Sequence, residues 1–123
     1  MILVDTSVWV DHFRTGDPML AALLESCEVL SHPFVVGELA LGGPRQRDLI
    51  VDSLSDLPRA TVANDDEVMR LITIHSLSGQ GVGYVDVHLL AAASLSANAR
   101  LWTRDKRLAS VAAAMALSFD PRH

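Results

Sequence analysis

Four carboxylates in this chain occupy positions that a solvated surface does not explain. Asp5 ends the apolar run Met1-Ile2-Leu3-Val4, and Glu38 lies within Phe34-Val35-Val36-Gly37 and Leu39-Ala40-Leu41. Asp86 opens a long apolar segment, and Asp105 follows Arg100-Leu101-Trp102-Thr103. Ionised acids are almost never buried without partners, so each must face a cleft, a cation or a base. No Lys or Arg lies within seven positions of Asp86 on either side, or of Glu38 on its N-terminal side. Two unit charges about 4 Å apart repel by roughly 4 kcal/mol at an effective dielectric near 20. Four carboxylates turned to one place must therefore raise one another's proton affinity or hold divalent cations. An all-oxygen donor set selects Mg²⁺ or Mn²⁺ over zinc, and the five histidines are scattered without a paired metal spacing. Carboxylate-held magnesium is normally completed by water and substrate phosphate, which points to phosphodiester chemistry.

The elements that must position these acids can be read along the chain. Ile2–Val4 reads as a buried strand of a parallel sheet, being continuously apolar rather than alternating. A helix follows from Ser7 to about Arg14, capped by Thr6 or Ser7 and stopped at Gly16. Asp17-Pro18 starts a second helix, Glu28 to Ser31 is a brief strand, and Pro33 opens the helix carrying Glu38. Pro44 begins a fourth helix, with Leu49, Ile50 and Leu54 on its apolar face. Asn64 or Asp65 caps a fifth, in which Val68, Leu71, Ile72 and His75 share a face. Gly79 to Gly83 is a loop; it lacks the preceding strand and the Lys-Ser/Thr sequel of a phosphate cradle. Val85 to Ser96 is apolar almost all round and hence a central helix. Arg100 to Thr103 is a strand, Leu108 to Met115 a helix, and Ala116 to Phe119 a last strand. Strands alternating with helices call for an α/β fold, a parallel sheet with helices on both faces.

Composition narrows the setting. The chain has 123 residues, half of them hydrophobic and a fifth charged, which fits one globular domain over residues 1–123. The single cysteine, Cys27, excludes an internal disulfide and reads as a small core residue. No window is long enough to cross a bilayer and no basic leader precedes the first strand, so a cytoplasmic protein with no membrane partner is expected. The net charge of −5 argues against nucleic acid, but its distribution matters more than its sum. Nine of the ten basic residues are arginine, and Arg104, Lys106 and Arg107 fall within four positions. Trp9, Phe13 and Trp102 have spacing or placement that suits core packing better than base stacking.

With those residues in view, the chain resembles the PIN-domain ribonucleases and, within them, the VapC toxins of bacterial toxin–antitoxin pairs. The resemblance rests on Ile2-Leu3-Val4-Asp5-Thr6-Ser7, on Glu38 some thirty residues later, on Gly83-Tyr84-Val85-Asp86-Val87-His88-Leu89-Leu90-Ala91, and on Leu101-Trp102-Thr103-Arg104-Asp105-Lys106-Arg107-Leu108. It implies a three-layer α/β/α sandwich with a short, mainly parallel central sheet. It also implies a catalytic and metal-binding quartet of Asp5, Glu38, Asp86 and Asp105, holding one or two Mg²⁺ or Mn²⁺ ions. Ser7 and Thr103 match hydroxyl positions beside the metal, with Thr6 adjacent. Arg104, Lys106 and Arg107 are candidates for the RNA backbone. Many relatives carry a further acid shortly after the Asp105 position, where this chain has Lys106 and Arg107. The resemblance further implies cleavage of single-stranded regions of structured RNA, a homodimer, and a cognate VapB-like antitoxin over the acidic groove. The competing readings are a catalytically inactive PIN-like domain that binds RNA or antitoxin, and a phospho-accepting receiver-type domain. The latter needs a strand-end lysine that Lys106, the only lysine, does not supply.

Overall fold

The computed structural model describes residues 1–42 and 44–121. Its elements run β1 (Ile2–Val4), α1 (Thr6–Thr15), α2 (Pro18–Glu25), β2 (Val29–Leu30), α3 (Pro33–Ala40) and α4 (Pro44–Ser55). They continue with α5 (Asp65–Ile74), α6 (Tyr84–Leu95), β3 (Arg100–Trp102) and α7 (Lys106–Ala114). The three strands form a parallel sheet in the order β2-β1-β3, with Leu3 opposite both Leu30 and Leu101. Parallel neighbours need crossovers, and the helices between the strands supply them. Adjacent residues of a strand point to opposite faces, yet Ile2, Leu3 and Val4 are all buried, so β1 is covered on both sides. This is the α/β sandwich the pattern calls for. It is built around β1, with α6 and α7 packed on β3, α5 on α6, and α3 on α1 and α4.

Helix α6 is the central helix: Val87 through Ala93 is buried without interruption. Three successive alanines, Ala91 to Ala93, let it lie close to its neighbours. The helix boundaries follow local chemistry. Pro18 and Pro33 occupy first turns, Asp17 accepts from the Leu20 N–H, and Asn64 with Glu67 completes a reciprocal cap on α5.

The structure corrects four expectations. The last strand is one isolated bridge, Leu101 to Ser118, because Ala116 takes a positive φ of 58° two residues before it. A matching bridge, Ser31 to Arg59, extends the other edge of the sheet. Cys27 is exposed, not core, and sits at φ 56° in the tight turn from α2 to β2. Helix α7 begins at Lys106, since Asp105 caps it, and the α1 cap is Asp5 instead of Thr6 or Ser7.

Among the described residues, no helix is long and apolar enough to cross a membrane. The strand order carries a functional consequence. The chain leaves β1 for β2 on one side, and β3 returns to the other. The crevice at the carboxyl ends of β1 and β3 is thus the place where open α/β sheets bind ligands.

Candidate active site

Asp5 stands in that crevice. Its own N–H donates to the Trp102 carbonyl at 2.9 Å, which ties the end of β1 to the end of β3. The side chain is 7% exposed and fully engaged. Oδ1 accepts the Thr6 N–H at 2.8 Å; Oδ2 accepts the Ser7 hydroxyl at 2.9 Å and the Thr103 hydroxyl at 2.7 Å. A buried carboxylate is tolerable with such partners. The two hydroxyls are themselves placed by backbone: Arg104 N–H donates to Ser7 Oγ at 3.0 Å, and Asp105 N–H to Thr103 Oγ1 at 3.1 Å.

Asp105 caps α7 through the Leu108 N–H at 3.0 Å, and Asp86 accepts the Gly83 N–H at 3.3 Å at the start of α6. Glu38 is exposed on α3 and receives the Thr6 hydroxyl at 2.9 Å. Three of the four acids thus sit at helix N-termini, of α1, α6 and α7. There the aligned peptide dipoles favour an anion by about 0.3–1 kcal/mol each. This is how the fold tolerates so much like charge in one place.

The crowding is still felt at Asp86. Partial burial, then Asp5, Asp105 and Glu38, push its carboxyl above the ordinary range, with only the Gly83 N–H pulling it back. The four predicted acids therefore share one electrostatic neighbourhood. As drawn, each turns to its own local donors, and no three His, Cys, Asp or Glu among the described residues are gathered tightly enough to enclose an ion. The donor set nonetheless fits a hard divalent cation. It is all oxygen, anionic, at a crevice mouth, and it contains a carboxylate that its neighbours make hard to ionise.

The basic cluster divides. Arg104 is held by Asp11 and Asp17, with its guanidinium 5.9 Å over the Trp102 ring. Asp11 and Asp17 lie in polar or turn contexts in the sequence, and their pairing with Arg104 is not visible there because they are 93 and 87 residues from it. Lys106 and Arg107 are exposed and form no ion pair among the described residues. Arg107 lies across Gly81, where a Cβ would fall 2.7 Å from its Nη1. The Gly79–Gly83 loop thereby serves as a seat for Arg107 as well as the cap of α6. Trp9 and Trp102 are buried, as expected of core residues.

Residues 2–114 match the PIN domain family, and the chain belongs to that family. It is 50% identical over 113 residues to ribonuclease VapC32 of Mycobacterium tuberculosis, from strains CDC 1551 / Oshkosh and ATCC 25618 / H37Rv. The match covers 92% of this chain and 91% of the relative. Among solved structures, FitAcB from Neisseria gonorrhoeae shares the fold with a TM-score of 0.69 at 20% identity, covering 100% of this chain and 99% of that one.

Proposed function

We propose that the protein is a Mg²⁺- or Mn²⁺-dependent endoribonuclease, the toxin of a toxin–antitoxin pair, that cuts single-stranded regions of structured RNA. What supports this reading is that Asp5, Asp105 and Glu38 all bear electrostatically on Asp86 at the start of α6, together with 50% identity to a ribonuclease.

Asp5, Asp86 and Asp105 are the residues that would hold one or two ions, with Glu38 completing the set. When bound, the ion supplies Lewis-acid activation of water and neutralises charge on the phosphate under attack. The chain's own contribution is orientation. Thr6, Ser7 and Thr103 fix the Asp5 carboxylate through its backbone and hydroxyl donors. The Thr6 hydroxyl also aims Glu38, so one residue couples two acids. Lys106 and Arg107 face the solvent beside Asp105 and suit contact with the RNA backbone. Arg104, already neutralised by two carboxylates, serves as a brace between α1, α2 and the loop after β3.

The acidic crevice suits a basic segment of a VapB-like antitoxin. Exposed Ile74 and Leu95, which line one shallow groove with Leu71, suit a homodimer interface. Sequencing RNA ends after brief expression in cells tests the activity: new ends at defined single-stranded sites are expected with the parent and not with Asp5→Asn. Equal ends from both would overturn the reading.

A further inference from the structure

The chain has six aromatic residues, and four of them belong to the core: Trp9 and Trp102 are buried, while Phe13 and Phe119 pack against it. The two exposed ones are Phe34, 37% exposed, and Tyr84, 50% exposed. They come from different helices, α3 and α6, yet both rest on the same side chain. The His88 ring lies 4.7 Å from the centroid of each. His88 is itself 3% exposed, and its Nδ1 has no hydrogen-bond partner; the same holds for Nε2 of the fully buried His32, whose ring is 5.1 Å from Phe34. Two buried imidazoles each leaving a nitrogen unused is unusual, because buried polar atoms are nearly always paired.

The placement of this patch follows from the sheet. Strand order β2-β1-β3 lines up the segments leaving the three carboxyl ends: Asp105 after β3, Asp5 after β1, and Phe34 after β2. Phe34 and Glu38 are four apart on α3, so they share a face with about 5–6 Å between their Cβ atoms. Phe34 thus stands one helical turn from Glu38 on α3, and Tyr84 stands two residues from Asp86 at the start of α6, which ties the aromatic pair to two of the four acids. The rings are also set in advance. The Tyr84 hydroxyl donates to Asp65 Oδ1 at 3.2 Å, and His88 Nε2 approaches the same oxygen at 3.9 Å.

We propose that Phe34 and Tyr84, backed by His88, form a stacking platform for an unpaired nucleobase next to the phosphodiester that a divalent ion would hold at the acids. This rests on the ribonuclease reading and adds to it the part of the substrate that is recognised. Aromatic faces accept any base, so the platform selects single-stranded RNA without selecting sequence. The charged crevice alone would not discriminate in this way, because a duplex keeps its bases stacked on one another.

The test uses the full chain, with Ca²⁺ in place of Mg²⁺ or Mn²⁺ so that the acids stay neutralised while cleavage is suppressed, and a fluorescein-labelled single-stranded RNA of about 12 nucleotides. Phe34→Leu and Tyr84→Leu are expected to weaken binding by roughly 5- to 150-fold each, whereas Phe34→Tyr and Tyr84→Phe retain it. Replacing each nucleotide in turn by an abasic one should weaken the parent at one or two positions. At those positions the leucine variants should lose little more, because the stacked base is already gone. Folded leucine variants that bind intact RNA as the parent does would overturn the proposal. So would equal losses on intact and abasic RNA, or a loss confined to a purified antitoxin. A separate Mn²⁺ cleavage assay on the parent keeps the two readings apart. Cleavage with unaltered leucine variants sinks only the platform, and base-dependent binding without cleavage sinks only the nuclease.

Discussion

Replacing Asp86 by asparagine separates a carboxylate kept for chemistry from one kept for the fold. Asparagine preserves an oxygen acceptor for the Gly83 N–H and removes only the charge. In the parent, burial and the carboxylates of Asp5, Asp105 and Glu38 all oppose that charge. Relief of such crowding is worth about 0.5–2 kcal/mol. Against it stands the lost attraction of an anion to the α6 N-terminus, about 0.3–1 kcal/mol. At mid-range the metal-free variant should therefore be more stable by about 0.6 kcal/mol, or roughly 2–3 °C in Tm for a domain of this size. The pH dependence has a definite sign. The folded chain holds the Asp86 proton more tightly than the unfolded chain does, so the parent's penalty is complete above the raised pKa. It fades as pH falls toward the ordinary carboxylate value of 3.8. The variant's advantage should accordingly shrink in acid. Mn²⁺ should reverse the ranking, since an ion at 100 times its Kd stabilises the parent by about 2.7 kcal/mol and the variant by less. Thermal melts at neutral and acidic pH, with and without Mn²⁺, measure all of this. A metal-free Asp86→Asn protein that melts well below the parent at neutral pH would refute the reasoning and make Asp86 a structural cap.

Three further outcomes follow from single contacts. Thr103→Val removes a 2.7 Å donor from the buried Asp5 carboxylate and should cost about 1.5–3 kcal/mol, seen as a Tm lower by roughly 6–12 °C, while Thr103→Ser stays near the parent. Gly81→Ala forces an L-residue to φ 80° and drives its Cβ into Arg107. It should lose about 1–2 kcal/mol in denaturant melts, and its RNA affinity should fall to that of Arg107→Ala. His32, held down to about 4 by burial, His88 and Arg59, should make the fold lose stability as pH drops from 6.5 to about 4. The unfolded chain takes that proton first, and the loss, about 3 kcal/mol, is measurable by urea titration across the range.

The order of elements was legible because the deciding signals are local. A short apolar run of Ile, Leu and Val ended by a polar residue is too short for a helix and suits a buried strand, and proline, glycine and capping acids mark the helix ends. The four acids could be singled out because carboxylates in apolar company need a reason. Their double use as helix caps was half visible: the cap on α1 was assigned to the hydroxyls, whereas Asp5 both caps the helix and receives those hydroxyls. What could not be read were contacts across the fold. Arg104 meets Asp11 and Asp17 only because β3 lies beside β1, and Arg107 meets Gly81 only because α7 starts beside the loop before α6. Helical spacing for Trp9 and Phe13 and strand placement for Trp102 put these rings inside, where they lie. Nothing in the pattern singles out Phe34, inside an apolar helix, or Tyr84, just before one; exposure, which pattern cannot show, is what sets them apart.

The most direct test of the central claim is cleavage of a structured RNA by the purified protein, followed against Mn²⁺ or Mg²⁺ concentration for the parent, Asp5→Asn and Glu38→Gln. The account predicts metal-dependent internal cuts by the parent, abolished by EDTA and by either substitution, with both variants still folded by circular dichroism. Metal-independent cutting, or cutting undiminished by loss of the Asp5 charge, would contradict it.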